Sequence, residues 1–370
     1  MIPDYLYKWI YIILCTLLCL FHNAKLKSYK GNNAITRFGC STKRWGMALL
    51  LFMIVFIGTR PLSKLFTDMY YYVGFYELKA FDSYDSSSGE FLWNGFQKIC
   101  YHWFGMSSLT WLFFVALISQ LLKYLACKKI FHENVYTAYL FVITSFSFWS
   151  SATNIMRSDL AFSLVLYGMA VMLDEKTRRK WLLLFLFFFL ATFVHKSSVL
   201  LMICFLASYI FVKDIRWAVG FWLLCVVMSL INHSFFENLF MAMGFDDRVE
   251  QYLTGEDTIG VFSHSGFRWD FLLYSIVPIV LGWFISKKIT DKTYSAFLNT
   301  YILANSFWIL VIRALFSDRF AGISWSMYGL VLSLSLVKIA ASRKHTSYIA
   351  IGLIGQVLFL WIMIMLNKLN

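Results

Sequence analysis

Apolar runs of membrane length recur at short intervals from Leu6 to Leu366, and they leave no polar stretch long enough for an independent soluble domain. A helix needs about 20 apolar residues to cross about 30 Å of hydrocarbon. Hydrophobic residues make up 60% of the chain and charged residues only 14%. The sequence therefore predicts an all-α, polytopic integral membrane protein with a single membrane domain over residues 1–370.

The apolar runs predict about 12 transmembrane helices. We place them at 6–22, 45–60, 107–125, 135–152, 158–173, 181–195, 197–212, 217–232, 269–286, 294–312, 320–338 and 347–366. No small-residue cleavage site follows Leu20, and the basic cluster comes after the first apolar run instead of before it. We therefore expect this run to be retained as the first helix.

The distribution of charge predicts that both termini lie outside. In that orientation the cytoplasmic segments hold 21 of the 33 basic residues and 5 of the 20 acidic ones; they are 23–44, 121–134, 174–180, 213–216, 287–292 and 338–345. Cytoplasmic loops of membrane proteins are enriched in Lys and Arg. The net charge of +13 thus indicates topology, and we expect the bilayer as a partner and no nucleic acid.

The sequence gives no sign of a metal or a cofactor. The seven histidines never fall three or four residues apart, and neither a CxxC nor an HExxH motif occurs. No Walker loop or GxGxxG is present. Cys100 is the lone cysteine expected outside, so we predict no external disulfide within the chain.

Two long segments, 60–106 and 233–268, are predicted to lie on the outer face. The first contains Arg60, Asp68 and Tyr72 among further aromatic residues, and aromatic rings with interleaved carboxylates suit a sugar-binding surface. An anchoring belt at the membrane boundary is the alternative. The second contains Arg248, in a segment that binds substrate or is simply solvated.

An amphipathic run ends the first outer segment. Leu92, Phe96, Ile99 and Trp103 are spaced to share one helical face. This spacing predicts a helix that lies in the membrane interface before the third span.

Charged residues also interrupt the apolar sequence at three helix edges on the predicted outer face. Arg157 and His195 are 38 residues apart with two apolar stretches between them, so the chain returns both to one face; Lys196 follows directly, and Arg319 lies near a later edge. Arginine offers a planar fork of donors for phosphate, and histidine titrates near neutrality. The alternatives are interfacial snorkelling or an internal salt bridge, for instance with Asp159.

These residues carry a resemblance that extends over about 45–335. The series is Arg60, Asp68 and Tyr72, then Asn-x-x-Arg with Leu-Ala at 154–161, Phe-x-His-x-Ser at 193–197, Asp-Arg-x-x-x-Tyr at 247–252 and Asp-Arg-Phe at 318–320. It resembles the EpsG family of exopolysaccharide polymerases, which are related in role to the Wzy O-antigen and capsule polymerases.

The resemblance implies a glycosyltransferase of the bacterial inner (plasma) membrane. It would join oligosaccharide repeat units carried on a polyprenyl diphosphate, such as undecaprenyl diphosphate, on the outer, periplasmic face without a metal. A chain-length regulator and a flippase are then candidate partner proteins. Fixed cations would neutralise the leaving diphosphate, and a base would deprotonate the acceptor hydroxyl. We expect His195 or Asp68 to be catalytic, and we expect the substrate to be bound by Arg157, Arg319, Arg60, Arg248, Lys196 and Tyr72.

Other functions stay open at this point. A glycan ligase would share the whole lipid-diphosphate site. A flippase for the same lipid-linked units would place its charges around the midplane, whereas the candidate residues here are predicted at one face. A membrane O-acyltransferase would need a histidine deep on the cytoplasmic side, where the sequence offers only histidines in basic loops.

Overall fold

The computed structural model describes residues 3–31, 33–83, 90–231, 267–289, 291–313, 317–343 and 345–366. Within these ranges every regular element is helical. The α-helices are α1 Asp4–Lys27, α2 Ala34–Gly58, α3 Thr67–Glu77, α4 Phe91–Lys98, α5 Ser108–Phe131, α6 Val135–Ile143, α7 Phe146–Thr153, α8 Met156–Leu173, α9 Lys180–Val194, α10 Ser198–Ile210, α11 Ile215–Ile231, α12 Trp269–Ser286, α13 Lys292–Leu310, α14 Ser317–Trp325, α15 Tyr328–Arg343 and α16 Ser347–Met365. A π-helical turn, Ile99–Trp103, extends α4, and a 3₁₀ turn, His132–Asn134, joins α5 to α6.

Seven helical segments among the described residues are long and apolar enough to cross a membrane. They are Asp4–Lys27, Ala34–Gly58, Ser108–Ile143, Met156–Leu173, Trp269–Ser286, Ser317–Ser342 and Ser347–Met365. Three shorter apolar helices are α9, α10 and α11. The all-helical, multi-pass character is confirmed, while the number of about 12 spans and the outside location of both termini stay predictions.

Each of the predicted spans contains helix, but several boundaries differ. The segment 23–44, expected as a loop, is largely helical: α2 begins at Ala34 because Ile35 and Phe38 are buried. Gly39 faces Asn134, where an added Cβ would lie 2.5 Å from the amide oxygen. The span 135–152 is divided between α6 and α7, and the span 320–338 between α14 and α15.

The amphipathic run before α5 is helical as predicted, and its apolar face points outward. Trp93, Gln97 and Cys100 form the buried face. On the predicted apolar face, Ile99 is 42% and Trp103 80% exposed. A helix in the membrane interface presents such an exposed apolar face to lipid. The location of this helix in the membrane stays a prediction.

The chain folds into two compact units. The first contains Met1–His195 and Leu332–Asn370, and the second contains Lys196–Val331. In the first unit, α5 packs against α2 and α8, and α16 packs against α1. Gly352 lets α16 approach α15 and α6 closely, since an added Cβ would lie 2.1 Å from Leu336 and 3.2 Å from Phe141.

Helices α8 and α9 form an antiparallel hairpin in the first unit. The Tyr167 and Phe187 rings meet at 4.9 Å, and a Cβ at Gly168 would lie 3.0 Å from Phe187. At the turn of the hairpin, Lys129 Nζ contacts Asp174 at 2.7 Å. The other end of the hairpin therefore brings the start of α8 next to the end of α9.

The second unit is organised around α13, which packs against α10, α11, α12 and α14. The amide of Asn305 connects two of these neighbours. Trp222 Nε1 donates to its oxygen at 2.9 Å, and its nitrogen donates to Ser324 Oγ at 3.1 Å. Buried polar groups in apolar surroundings are thereby given partners.

Candidate functional site

Arg157 and His195 lie at the open end of the α8–α9 hairpin. Arg157 is in the first turn of α8, and His195 follows the last residue of α9 with an extended backbone. Both side chains are buried. Because the two helices are antiparallel neighbours, a separation of 38 residues in sequence becomes proximity in space.

A carboxylate that sequence reasoning missed joins the two. Glu90 Oε1 accepts from His195 Nδ1 at 2.8 Å, and Glu90 Oε2 accepts from Arg157 Nη1. Glu90 is itself buried. We call Glu90, Arg157 and His195 the outer cluster, after the face on which the sequence places it.

The contact between Phe91 and Phe193 explains how Glu90 reaches this position. Glu90 immediately precedes α4, and the ring of the next residue packs on Phe193 at 4.3 Å, two residues before His195. Helix α4 packs along α9. The contact between Phe91 and Phe193 therefore positions the Glu90 carboxylate next to His195.

The outer cluster contains one acidic side chain and two basic side chains. One carboxylate serves both a guanidinium and an imidazole, and charge-assisted hydrogen bonds of this kind are stronger than neutral ones. The Nε of Arg157 is buried and has no hydrogen-bond partner among the described residues. Arginine carries five donors, so part of its donor capacity stays unused in this arrangement.

Aromatic rings from the first outer segment cover the guanidinium. Tyr72 lies over Arg157 at 5.6 Å, and Trp93 meets Tyr72 edge-on at 5.7 Å. Trp111 continues the row, at 5.5 Å from Trp93 and stacked on Tyr76 at 4.8 Å. Burial raises the pKa of Tyr76 to about 12. We call Tyr72, Trp93, Trp111 and Tyr76 the aromatic row.

Asn154 links the row to Arg157. Its side-chain oxygen accepts from the backbone N–H groups of Asp68 at 2.8 Å and Met69 at 3.3 Å. These N–H groups lie in the first turn of α3, where helices leave donors unsatisfied. In the Asn-x-x-Arg motif, the asparagine thus caps the helix that carries Tyr72, and the arginine lies under that tyrosine. Asp68, predicted as a base, is half-buried in the same turn.

Arg60, predicted as a substrate ligand, is 1% exposed. Its Nη1 donates to the Ile57 carbonyl at 2.8 Å, and its Nη2 lies 3.3 Å from the sulfur of Met156. Burial lowers its pKa to about 10. Arg60 is therefore next to the residue that precedes Arg157, with its side chain directed into the protein.

The carboxylate of Asp159 does not pair with Arg157. Lys123 Nζ from α5 contacts both of its oxygens, at 2.6 and 2.7 Å, and both side chains are buried. The sequence offered an internal salt bridge between Asp159 and Arg157 as an alternative. Asp159 does form an internal salt bridge, but its partner is Lys123 of α5. Asp159 and Lys123 are called the inner pair.

The other predicted substrate ligands are Lys196, Arg319 and Arg248. Lys196 and Arg319 are half-buried residues of the second unit, and Arg319 is in α14. Arg248 lies outside the described residues. No group of three or more metal-ligating side chains occurs in the ranges that the structure describes.

Comparison with known proteins decides the family. The model of the EpsG family matches residues 43–369. The chain belongs to the EpsG family. No curated protein and no solved structure gives a significant match.

Membership in the EpsG family gives this chain a polysaccharide polymerase role and a glycosyltransferase-like chemistry. The match includes the outer cluster, the aromatic row, the whole second unit, and the first unit apart from residues 1–42 and Asn370. A family assignment does not identify functional residues by itself, so their roles are argued from the geometry of the site.

Proposed function

We propose that this EpsG-family protein polymerises polyprenyl-diphosphate-linked oligosaccharide repeat units on the outer face of the bacterial inner membrane. The observation that carries the proposal is the Glu90 carboxylate, which holds a guanidinium and an imidazole together at one end of a membrane hairpin. Such a cluster offers a cation for the diphosphate, a base for the acceptor and a carboxylate that orients the base.

In the proposed reaction, a hydroxyl of the acceptor repeat unit attacks the anomeric carbon of the donor glycan. A new C–O bond forms as the bond between that carbon and the diphosphate oxygen breaks. The leaving polyprenyl diphosphate takes the electron pair, and the hydroxyl proton goes to His195 Nε2. A positioned general base contributes about 10²- to 10⁴-fold in rate.

Glu90 acts on His195 as a positioning residue. Its contact at Nδ1 favours the tautomer with the proton on Nδ1, and it stabilises the imidazolium formed by proton transfer. Asp68 is the alternative base, from the first turn of α3.

Arg157 is proposed as the main diphosphate ligand. Its buried Nε is a donor without a partner among the described residues, and the Tyr72 ring lies 5.6 Å from the guanidinium carbon. Arg60 supplies positive charge from behind Met156 without direct contact. Arg319, Arg248 and Lys196 stay proposed as further substrate-binding cations, and the rings around Tyr72 are proposed as the surface for the sugars.

The proposed outer face rests on the excess of basic residues in alternate loops, and the proposed inner membrane rests on the family. Fixed cations would replace a metal at the diphosphate. A ligase that transfers finished glycan would use the same site, and a flippase for the same units is the second alternative.

The test is a gel of surface polysaccharide from strains that carry His195→Ala or Glu90→Gln. Both variants are expected to show single repeat units in place of long polymer. His132→Ala and Glu133→Gln are matched controls at the opposite end of the first unit, where Glu133 forms an exposed ion pair with Lys43 at 2.8 Å. Both controls should show normal polymer.

Normal chain length in His195→Ala and Glu90→Gln, with protein levels equal to wild type, would contradict the proposal. A deletion strain separates the alternatives. Internal accumulation with no surface units indicates a flippase, and free polymer without attachment indicates a ligase.

A further inference from the structure

A cavity of about 820 Å³ lies within the second unit, and none of its lining residues belongs to the outer cluster. It is formed where the turn between α10 and α11 meets the turn between α12 and α13. Four basic residues line it: Lys213, Arg216, Lys287 and Lys292. No function discussed above uses this cavity.

The acidic residues that line the cavity are committed to backbone groups. Asp214 accepts from the N–H of Arg216 at 2.9 Å, and Asp291 caps α13 by accepting from the N–H of Tyr294 at 2.7 Å. Within the described ranges, the four basic residues make no ion pair. The cavity therefore has an excess of two positive charges, which attract an anion.

The walls below the basic residues are largely apolar, with Ile215, Trp283 and Leu298 among them. Lys287 Nζ lies over the Trp283 ring at 5.0 Å, which directs the ammonium along the cavity wall. A small soluble anion would gain no favourable contact from these apolar walls. A lipid with an anionic headgroup matches both the charge and the apolar surface.

Asn299 adds a polar group inside the cavity. Its Nδ2 donates to the Val212 carbonyl at 2.8 Å, which fixes the amide, while its Oδ1 is buried without a partner among the described residues. The residue is 1% exposed. A buried acceptor without a donor is costly, so a ligand hydroxyl would be favoured there.

We propose that this cavity is a binding site for one anionic glycerophospholipid. Its phosphate contacts the four basic residues, a headgroup hydroxyl donates to Asn299 Oδ1, and the start of an acyl chain lies along the apolar wall. Phosphatidylglycerol has all three features. The proposal is independent of the polymerase chemistry, since it uses none of those residues.

The test is native mass spectrometry of the full chain in detergent, titrated with phosphatidylglycerol, phosphatidylcholine or glycerol 1-phosphate. One phosphatidylglycerol should bind per chain well before the others. Replacing Lys213, Arg216, Lys287 and Lys292 together by Gln should weaken it about 100-fold or more, because all four positive charges that attract the lipid phosphate are removed. The matched control replaces Lys27, Lys30, Arg44 and Lys288, which are exposed and do not line the cavity.

A pair of single variants tests the interior. Ser295 is a half-buried lining residue. Ser295→Glu should weaken phosphatidylglycerol binding about tenfold, and Ser295→Gln, of equal size, should weaken it far less. Equal binding of phosphatidylcholine, equal binding of glycerol 1-phosphate, or equal losses in the cavity and control quadruple variants would overturn the proposal.

Discussion

The inner pair and the outer cluster are both buried and charged, but their stoichiometry differs. In the inner pair, one ammonium meets both oxygens of one carboxylate, at 2.6 and 2.7 Å. In the outer cluster, Glu90 divides its two oxygens between Arg157 and His195, and Arg157 Nε has no partner in the described ranges. Burial of charge therefore does not distinguish structure from function in this protein. The proposed role of Arg157 in diphosphate binding rests instead on the donor capacity that its guanidinium keeps beside Glu90.

Breaking the inner pair should have the largest effect. Asp159→Asn leaves the Lys123 ammonium buried without its counter-charge, and such a change costs about 3–5 kcal/mol. Thermal unfolding in detergent should show a large loss of stability. The double variant Lys123→Met with Asp159→Leu should recover most of it, because apolar replacements of a buried pair are often neutral. If Asp159→Asn unfolds at the wild-type temperature, the inner pair is not structural.

A change of the guanidinium in the outer cluster should affect activity more than stability. Arg157→Lys keeps the positive charge but loses the planar fork and the contact with Glu90 Oε2. Polymerisation should fall about 10- to 100-fold, as expected for about 1.5–3 kcal/mol from a charged hydrogen bond. The measurement is the yield of long polymer per unit of membrane protein. Arg268→Lys, in an ion pair with Asp270 at 3.0 Å in the second unit, is the matched control. Equal yields in the two variants would remove the special role of Arg157.

The cap on α3 should have a smaller effect. Asn154→Ala removes the acceptor for two backbone N–H groups, and a lost cap costs about 1 kcal/mol. We expect a modest drop in the unfolding temperature together with shorter polymer, since α3 positions Tyr72 over Arg157. Asn154→Asp keeps an acceptor oxygen and should retain more of both properties. A loss of polymer in Asn154→Asp equal to that in Asn154→Ala would argue against capping as the reason.

The smallest effect is expected at the hairpin turn, where Asp174 pairs with Lys129. Burial alone would raise the pKa of Asp174, but hydrogen bonds from Lys129 and Thr177 lower it below 3.8. A carboxyl with a lowered pKa stabilises the fold above its ordinary pKa, and this contribution is lost as the pH falls through the folded value. Asp174→Asn should therefore cost a few tenths of a kcal/mol, about 1 kcal/mol at most, at pH 7. The difference from wild type in unfolding temperature should shrink near pH 3. An unchanged difference at the two pH values would contradict this expectation.

Local hydrophobicity accounts for most of what the sequence predicted correctly. Each apolar run became a helix because burial and internal hydrogen bonding leave few other solutions in a bilayer. The return of Arg157 and His195 to one end followed from counting two crossings between them. The longer start of α2 was missed because its burial depends on contacts outside the helix, such as those of Phe38 with His22 and Tyr29.

The partners within the site were harder to predict. Glu90 ends an acidic, Ser-rich turn and looks like a solvated residue, and only the packing of Phe91 on Phe193 brings it to His195. Arg60 looks like an exposed phosphate ligand, yet its side chain is directed inward to Met156. Asp159 is two residues from Arg157 in sequence, but its carboxylate pairs with Lys123. In each case the partner is 36 or more residues away, and no spacing rule connects them.

The bond from Asn154 to the start of α3 has a mechanical consequence. It fixes α3, a helix of the first outer segment, to the turn that precedes α8. Tyr72 in α3 and Arg157 in α8 are therefore held in a fixed relation to each other. A glycan that displaced the Tyr72 ring would, through these two hydrogen bonds, also displace the start of α8, which carries Arg157. In the proposed complex, the position of the sugar and the orientation of the Arg157 guanidinium would therefore be coupled.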